Sequence, residues 1–123
     1  MILDLKETLC VPSNKLITTK DFYEKVWGYV KNIPIIKQYI DKLDYAVSSN
    51  EIINNGIYYM IKADISTGAN EGIYLTCYIR GEIEDVYICT FKSLSVETES
   101  YLFMGSLAGA MIQIGEKYLS YNL

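Results

Sequence analysis

The chain has 123 residues, half of them apolar and 21% charged, with a formal charge of −4 and no histidine. This length fits one core that needs neither metal nor disulfide staples, and the apolar fraction excludes low-complexity disorder. The missing histidine removes the commonest general base, the commonest metal ligand and the usual partner of a nucleophilic Ser or Cys.

Read along the chain, Met1–Leu5 has the pattern of a short strand and Pro12-Ser13-Asn14 that of a turn. Thr18 with Asp21 three residues later resembles a capping box. Behind it Phe22, Val26, Tyr29, Val30 and Ile33 recur at helical spacing, which predicts a helix over 19–31. Asn32-Ile33-Pro34 breaks it. Ile36, Tyr39, Ile40 and Leu43 then form one face of a second helix over 34–44, giving a helical hairpin. Ser48-Ser49-Asn50 and Asn54-Asn55-Gly56 are turn clusters, each with room for a short strand before it.

From Gly56 the period changes to two. Strands are expected at 57–64, 72–80 and 85–92, with a loop at 65–70 and a turn at 81–84. Pairing Arg80 with Asp85 puts Ile79/Val86, Cys77/Ile88 and Leu75/Thr90 on one face. The other face then holds Tyr78/Tyr87, Thr76/Cys89 and Tyr74/Phe91. Ser95 or Thr98 caps a last helix reaching about Leu119, apolar around so much of its surface that cover on more than one side is expected. The expectation is a single α+β domain over residues 1–123: an N-terminal helical hairpin, a three- or four-stranded antiparallel β-meander, and a long C-terminal helix packed on the sheet, in two layers or three.

The charge is uneven. Residues 1–62 carry +1 and residues 63–123 carry −5, which points to an acidic side built from the C-terminal half. Arg80 is the only arginine beside ten lysines, a poor endowment for gripping phosphate or reading guanine, so nucleic acid is a disfavoured partner. Seventeen isoleucines against five alanines, with many Lys, Asn and Tyr, fit AT-rich coding of a bacterial or phage kind. Cys10, Cys77 and Cys89 are an odd set without metal-ligand spacing, expected to act as small core residues in a reducing cytoplasm. The N-terminus has neither the basic start nor the apolar stretch of a secretory signal. The apolar run Tyr101–Gly115 is shorter than the roughly 20 residues a membrane helix needs, so no membrane partner is expected.

Three groups of residues stand out. Tyr74, Tyr78, Tyr87 and Phe91 share one predicted sheet face, which is either a core face under the helices or an exposed aromatic platform for a protein. Glu82, Glu84 and Asp85 form an acidic hairpin tip whose spacing matches no calcium loop. Gly105, Ala108 and Gly109 put a stripe of small residues on the last helix, a seam for close internal packing or for a homodimer. No cofactor motif and no metal-ligand set is present; the glycines at 68 and 72 lack the lysine of a phosphate loop. Cys77 and Cys89, on opposite faces in this register, are expected to stay thiols. The composition therefore favours a non-catalytic protein-binding domain of the inhibitor, immunity, chaperone or phage counter-defence type. The alternative is a small-molecule domain with a pocket between the sheet and the last helix. An enzyme relying on Tyr, Lys, Ser or carboxylates alone ranks third.

Overall fold

A computed structural model of the chain describes residues 17–54, 58–68 and 72–120. The features expected at Met1–Leu5, Cys10, Pro12–Asn14, Asn55-Gly56 and 69–71 lie outside them.

Strand β1 (Ile17–Thr18) leads directly into helix α1 (Thr19–Val30). The start of α1 is fixed by Thr18, whose hydroxyl accepts the Asp21 N–H at 3.1 Å. The next residue, the buried Thr19, donates its hydroxyl to the Ser48 carbonyl at 2.7 Å, tying the helix to the loop after β2 (Asp44–Val47). Phe22, Tyr23, Val26, Trp27 and Val30 recur at helical spacing and are all buried. The second arm of the expected hairpin is shorter than 34–44. It is one helical turn, α2 (Pro34–Lys37), followed by a 3-10 turn at Ile40–Lys42. Tyr39 leaves the helical region (φ −113°, ψ 0°) and sets its ring 4.9 Å from that of Phe103. That contact outweighs the weak helix propensity of a run rich in isoleucine.

Two short strands precede the turn clusters, β2 and β3 (Ile52–Ile53), the latter pairing with β1. Then come β4 (Tyr58–Gly68), β5 (Gly72–Gly81) and β6 (Asp85–Ser93), and helix α3 (Thr98–Ser120). β4 runs further than expected, through Ile65-Ser66-Thr67 to Gly68, which faces Gly72. Gly72 has φ +93°, and a Cβ there would overlap the Ser93 carbonyl oxygen, so the turn into β5 requires glycine. The main sheet is antiparallel with order β2-β6-β5-β4. α1 packs on β6 and β2, α3 on β4 and β5, and the two helices pack on each other. Both therefore lie on one face, and the layers are two.

The register differs from the sequence expectation in one place, with large consequences. Arg80/Asp85, Ile79/Val86 and Tyr78/Tyr87 pair as expected, but Cys77 then faces Cys89 rather than Ile88. Ile88 is the extra residue of a β-bulge, and Ile88 and Cys89 are both buried although adjacent. Beyond the bulge Thr76 faces Thr90, Leu75 faces Phe91 and Tyr74 faces Lys92. The bulge keeps Ile73, Leu75, Cys77, Ile79, Ile88, Cys89 and Phe91 all under the helices, each fully buried. Phe91 thus leaves the tyrosine face. Its ring sits 5.1 Å from Trp27, 5.9 Å from Tyr45 and 6.2 Å from Tyr23.

α3 is covered on the side facing the sheet and α1, where Phe103, Met104, Leu107, Met111, Ile114 and Tyr118 are buried. α2 packs on it as well, so α3 is covered on more than one side as expected, and among the described residues its remaining side is exposed along Leu102, Gly105, Gly109, Gln113 and Glu116. No helix among the described residues is long and apolar enough to cross a membrane.

Candidate functional site

The uncovered face of the sheet carries the even-numbered residues of β4 and β5 and, beyond the bulge, their partners on β6. In cross-strand rows these are Met60, Arg80 and Asp85; Lys62, Tyr78 and Tyr87; Asp64, Thr76, Thr90 and Ala46; and Ser66, Tyr74, Lys92 and Asp44. Apolar-in and polar-out alternation along each strand produces this face, and no helix among the described residues is placed on it. Of the four aromatic residues expected here, Tyr74, Tyr78 and Tyr87 share the face. Tyr87 is 38% exposed, and Tyr74 and Tyr78 are half-buried by their neighbours.

These rings are held in place. The Tyr87 hydroxyl reaches the Ala46 carbonyl at 3.2 Å and the Thr90 hydroxyl at 3.1 Å, and Thr90 in turn lies 3.3 Å from the Thr76 hydroxyl. Desolvation by surrounding side chains pushes the Tyr78 hydroxyl above its ordinary range. Its hydrogen bond to the Asp64 carboxylate adds to the effect, because it requires the phenol to keep its proton. The Lys92 ammonium sits 5.3 Å from the centre of the Tyr74 ring, a cation–π distance. A hollow of about 240 Å³ opens beside that pair, lined by Asp44, Tyr45, Ala46, Tyr74, Thr90 and Lys92. A rigid mixture of aromatic rings and satisfied polar groups can make large contacts with little further loss of side-chain entropy.

The acidic tip borders this face. Glu82, Glu84 and Asp85 are exposed, and Asp85 lies 3.6 Å from Arg80 at the mouth of the hairpin. Between the two glutamates stands Ile83, an apolar side chain 94% exposed, which charge alone does not single out. Its signal in the sequence was a β-branched apolar residue at the centre of a turn. Glu97 and Glu99 follow β6 and so lie at the other end of the sheet from the tip.

The small residues of α3 behave differently from one another. An added Cβ at Gly105 or Gly109 would meet nothing within 4 Å, so close internal packing does not explain those glycines, while Ala108 is buried. Gly115 is the position where the helix approaches its neighbours: a Cβ there would lie 2.7 Å from Ile61 Cδ1 and 3.2 Å from Phe22 Cζ. Where α3 begins, two adjoining hollows of about 250 Å³ share Tyr39, Glu99 and Phe103. One is lined by Lys42, Ser93 and Ser95, the other by Ile35 and Leu102.

Cys77 and Cys89 face each other across β5 and β6 on the buried side, as free thiols. Burial, and then the neighbouring Cys77, push the Cys89 thiol far above its ordinary range, which suits a core residue and not a nucleophile. Among the described residues no group of three or more His, Cys, Asp or Glu is arranged to hold a metal. No family model matches the chain, and neither curated proteins nor solved structures yield a match.

Proposed function

We propose that this chain is a non-catalytic protein-binding domain, of the inhibitor, immunity, chaperone or phage counter-defence type, acting in the cytoplasm through the uncovered face of its sheet. One observation carries this reading. Three tyrosines stand on the face that no helix among the described residues covers, with their rings held by neighbouring polar groups. Tyrosine on a solvent-facing sheet offers contact area at small entropic cost and is enriched where binding energy concentrates. The acidic hairpin with Ile83 at its tip adjoins the platform and favours a partner that presents basic residues around an apolar pocket. A sequence without histidine lends proton-transfer chemistry little support.

The experiment is affinity capture on immobilised chain, identification of the retained protein, and titration of that protein in purified form. The Tyr78→Ala/Tyr87→Ala variant is expected to bind about 30-fold more weakly, equivalent to two modest hot spots. A folded double variant with unchanged affinity, or the absence of any retained protein, overturns the proposal.

A second reading places a small molecule in the hollow between the end of β6 and the first turns of α3, where Ser93, Ser95, Glu99 and Ser100 surround Phe103 and Tyr39. Thermal shift against a metabolite panel distinguishes the two. A true ligand at 100 times its Kd adds about 2.7 kcal/mol of stability.

A further inference from the structure

We propose that two copies of this chain pair edge to edge through β4, antiparallel about a two-fold axis at Ala63, joining the two sheets and both tyrosine faces into one surface. Among the described residues β4 is the longest strand and β5 is its only neighbour in the sheet, so its outer edge presents backbone donors and acceptors that no described strand pairs. The segment Met60–Ser66 is regular. The irregularity between Tyr58 and Met60 lies outside it and ends the usable edge on that side.

The side-chain period restricts the register. Met60, Lys62, Asp64 and Ser66 belong to the tyrosine face and Ile61, Ala63 and Ile65 to the helix face, and a two-fold pairing must match like faces. An axis at Lys62 opposes two lysines, and an axis at Asp64 opposes two aspartates. An axis at Ala63 instead sets Lys62 against the partner's Asp64, and Asp64 against the partner's Lys62. On the helix face the same axis sets Ile65, 41% exposed in the single chain, across from the partner's Ile61, which is buried under α3 beside Gly115 and adds no contact of its own. The register therefore rests on charge, which is self-complementary only with the axis at Ala63. The inference does not depend on the binding role of the tyrosine face, which extends across the joint if both hold.

Sedimentation of the full chain from about 1 to about 200 µM, with circular dichroism of each variant, tests the pairing. The wild type is expected to dimerise reversibly. Lys62→Asp and Asp64→Lys each place like charges opposite one another twice, and each should weaken the dimer at least tenfold. An equimolar mixture of those two variants should form a heterodimer, because every facing pair is again opposite in sign. The Lys62→Asp/Asp64→Lys double variant should recover wild-type affinity within threefold. A wild type that stays monomeric throughout overturns the proposal, whatever the variants do. So does a dimer that both single reversals leave intact, which would place the contact elsewhere, such as the open side of α3.

Discussion

Truncating Phe91 to alanine tests the bulge at Ile88, on which the assignment of both sheet faces rests. With the bulge, Phe91 is fully buried against Trp27, Tyr23 and Tyr45. Without it, the same side chain would stand in solvent beside Tyr74. Removing a buried phenylalanine costs about 3–5 kcal/mol, and three ring neighbours within 6.2 Å place Phe91→Ala near 4 kcal/mol. Tyr87→Ala removes a ring that is 38% exposed, together with hydroxyl contacts at the surface, and should cost about 1 kcal/mol. The assay is urea unfolding followed by tryptophan fluorescence, since Trp27 reports on the same cluster. With an m-value of about 1.5 kcal/mol per M, Phe91→Ala lowers the midpoint by about 2.5 M and Tyr87→Ala by less than 1 M. A Phe91→Ala loss below about 1.5 kcal/mol, or a larger loss for Tyr87→Ala, would refute the register and the faces drawn from it.

The glycines of α3 should respond to alanine with opposite signs. Gly105→Ala and Gly109→Ala meet open space and gain up to about 1 kcal/mol each from helix propensity, whereas Gly115→Ala forces Ile61 and Phe22 aside and loses about 1–3 kcal/mol. Melting temperatures decide this, and a stabilised Gly115→Ala would contradict the packing. The buried Tyr23 hydroxyl has no hydrogen-bond partner among the described residues, so Tyr23→Phe should leave stability at neutral pH unchanged or raise it by up to about 1 kcal/mol. A loss above about 1.5 kcal/mol would reveal a partner for that hydroxyl. Burial, followed by Cys89, Tyr45 and Cys77, pushes the Tyr23 hydroxyl above its ordinary value of about 10, and burial does the same to the Cys89 thiol. The unfolded chain therefore releases these protons first. Their stabilising contribution is complete below about pH 8.5 and is lost as pH rises, first for Cys89 and then, above about 10, for Tyr23. Urea midpoints measured against pH should fall less steeply above pH 10 in Tyr23→Phe than in the wild type; equal slopes would contradict the assignment to Tyr23.

Elements with a strong period were legible from the chain. Thr18 and the spacing from Phe22 to Val30 place α1, and alternation across 72–80 and 85–92 places the central strands. Continuous pairing from the Arg80/Asp85 turn overlooked the bulge, whose sign was the adjacent apolar pair Ile88-Cys89 in an otherwise alternating strand. That single insertion moved Phe91 into the core and brought Cys77 opposite Cys89. The second helix was over-extended because Ile36, Tyr39, Ile40 and Leu43 fit a helical period equally well when wound as two short turns. Whether the tyrosines face a core or solvent could not be decided by pattern, since a ring with a hydroxyl suits either. Among the described residues α1 and α3 both lie on the opposite face, and Tyr87 is 38% exposed. Ile83 was hidden among the charges that flank it.

The central claim is that the uncovered sheet face meets another protein, and site-specific photo-cross-linking tests it most directly. A benzophenone amino acid at position 87 lies on that face, and one at position 113 lies on the open side of α3. A covalent adduct between the chain and its captured partner is expected from position 87 and none from position 113. Adducts from 113 alone, or no heterologous adduct from 87 under conditions where the partner is retained, would contradict it.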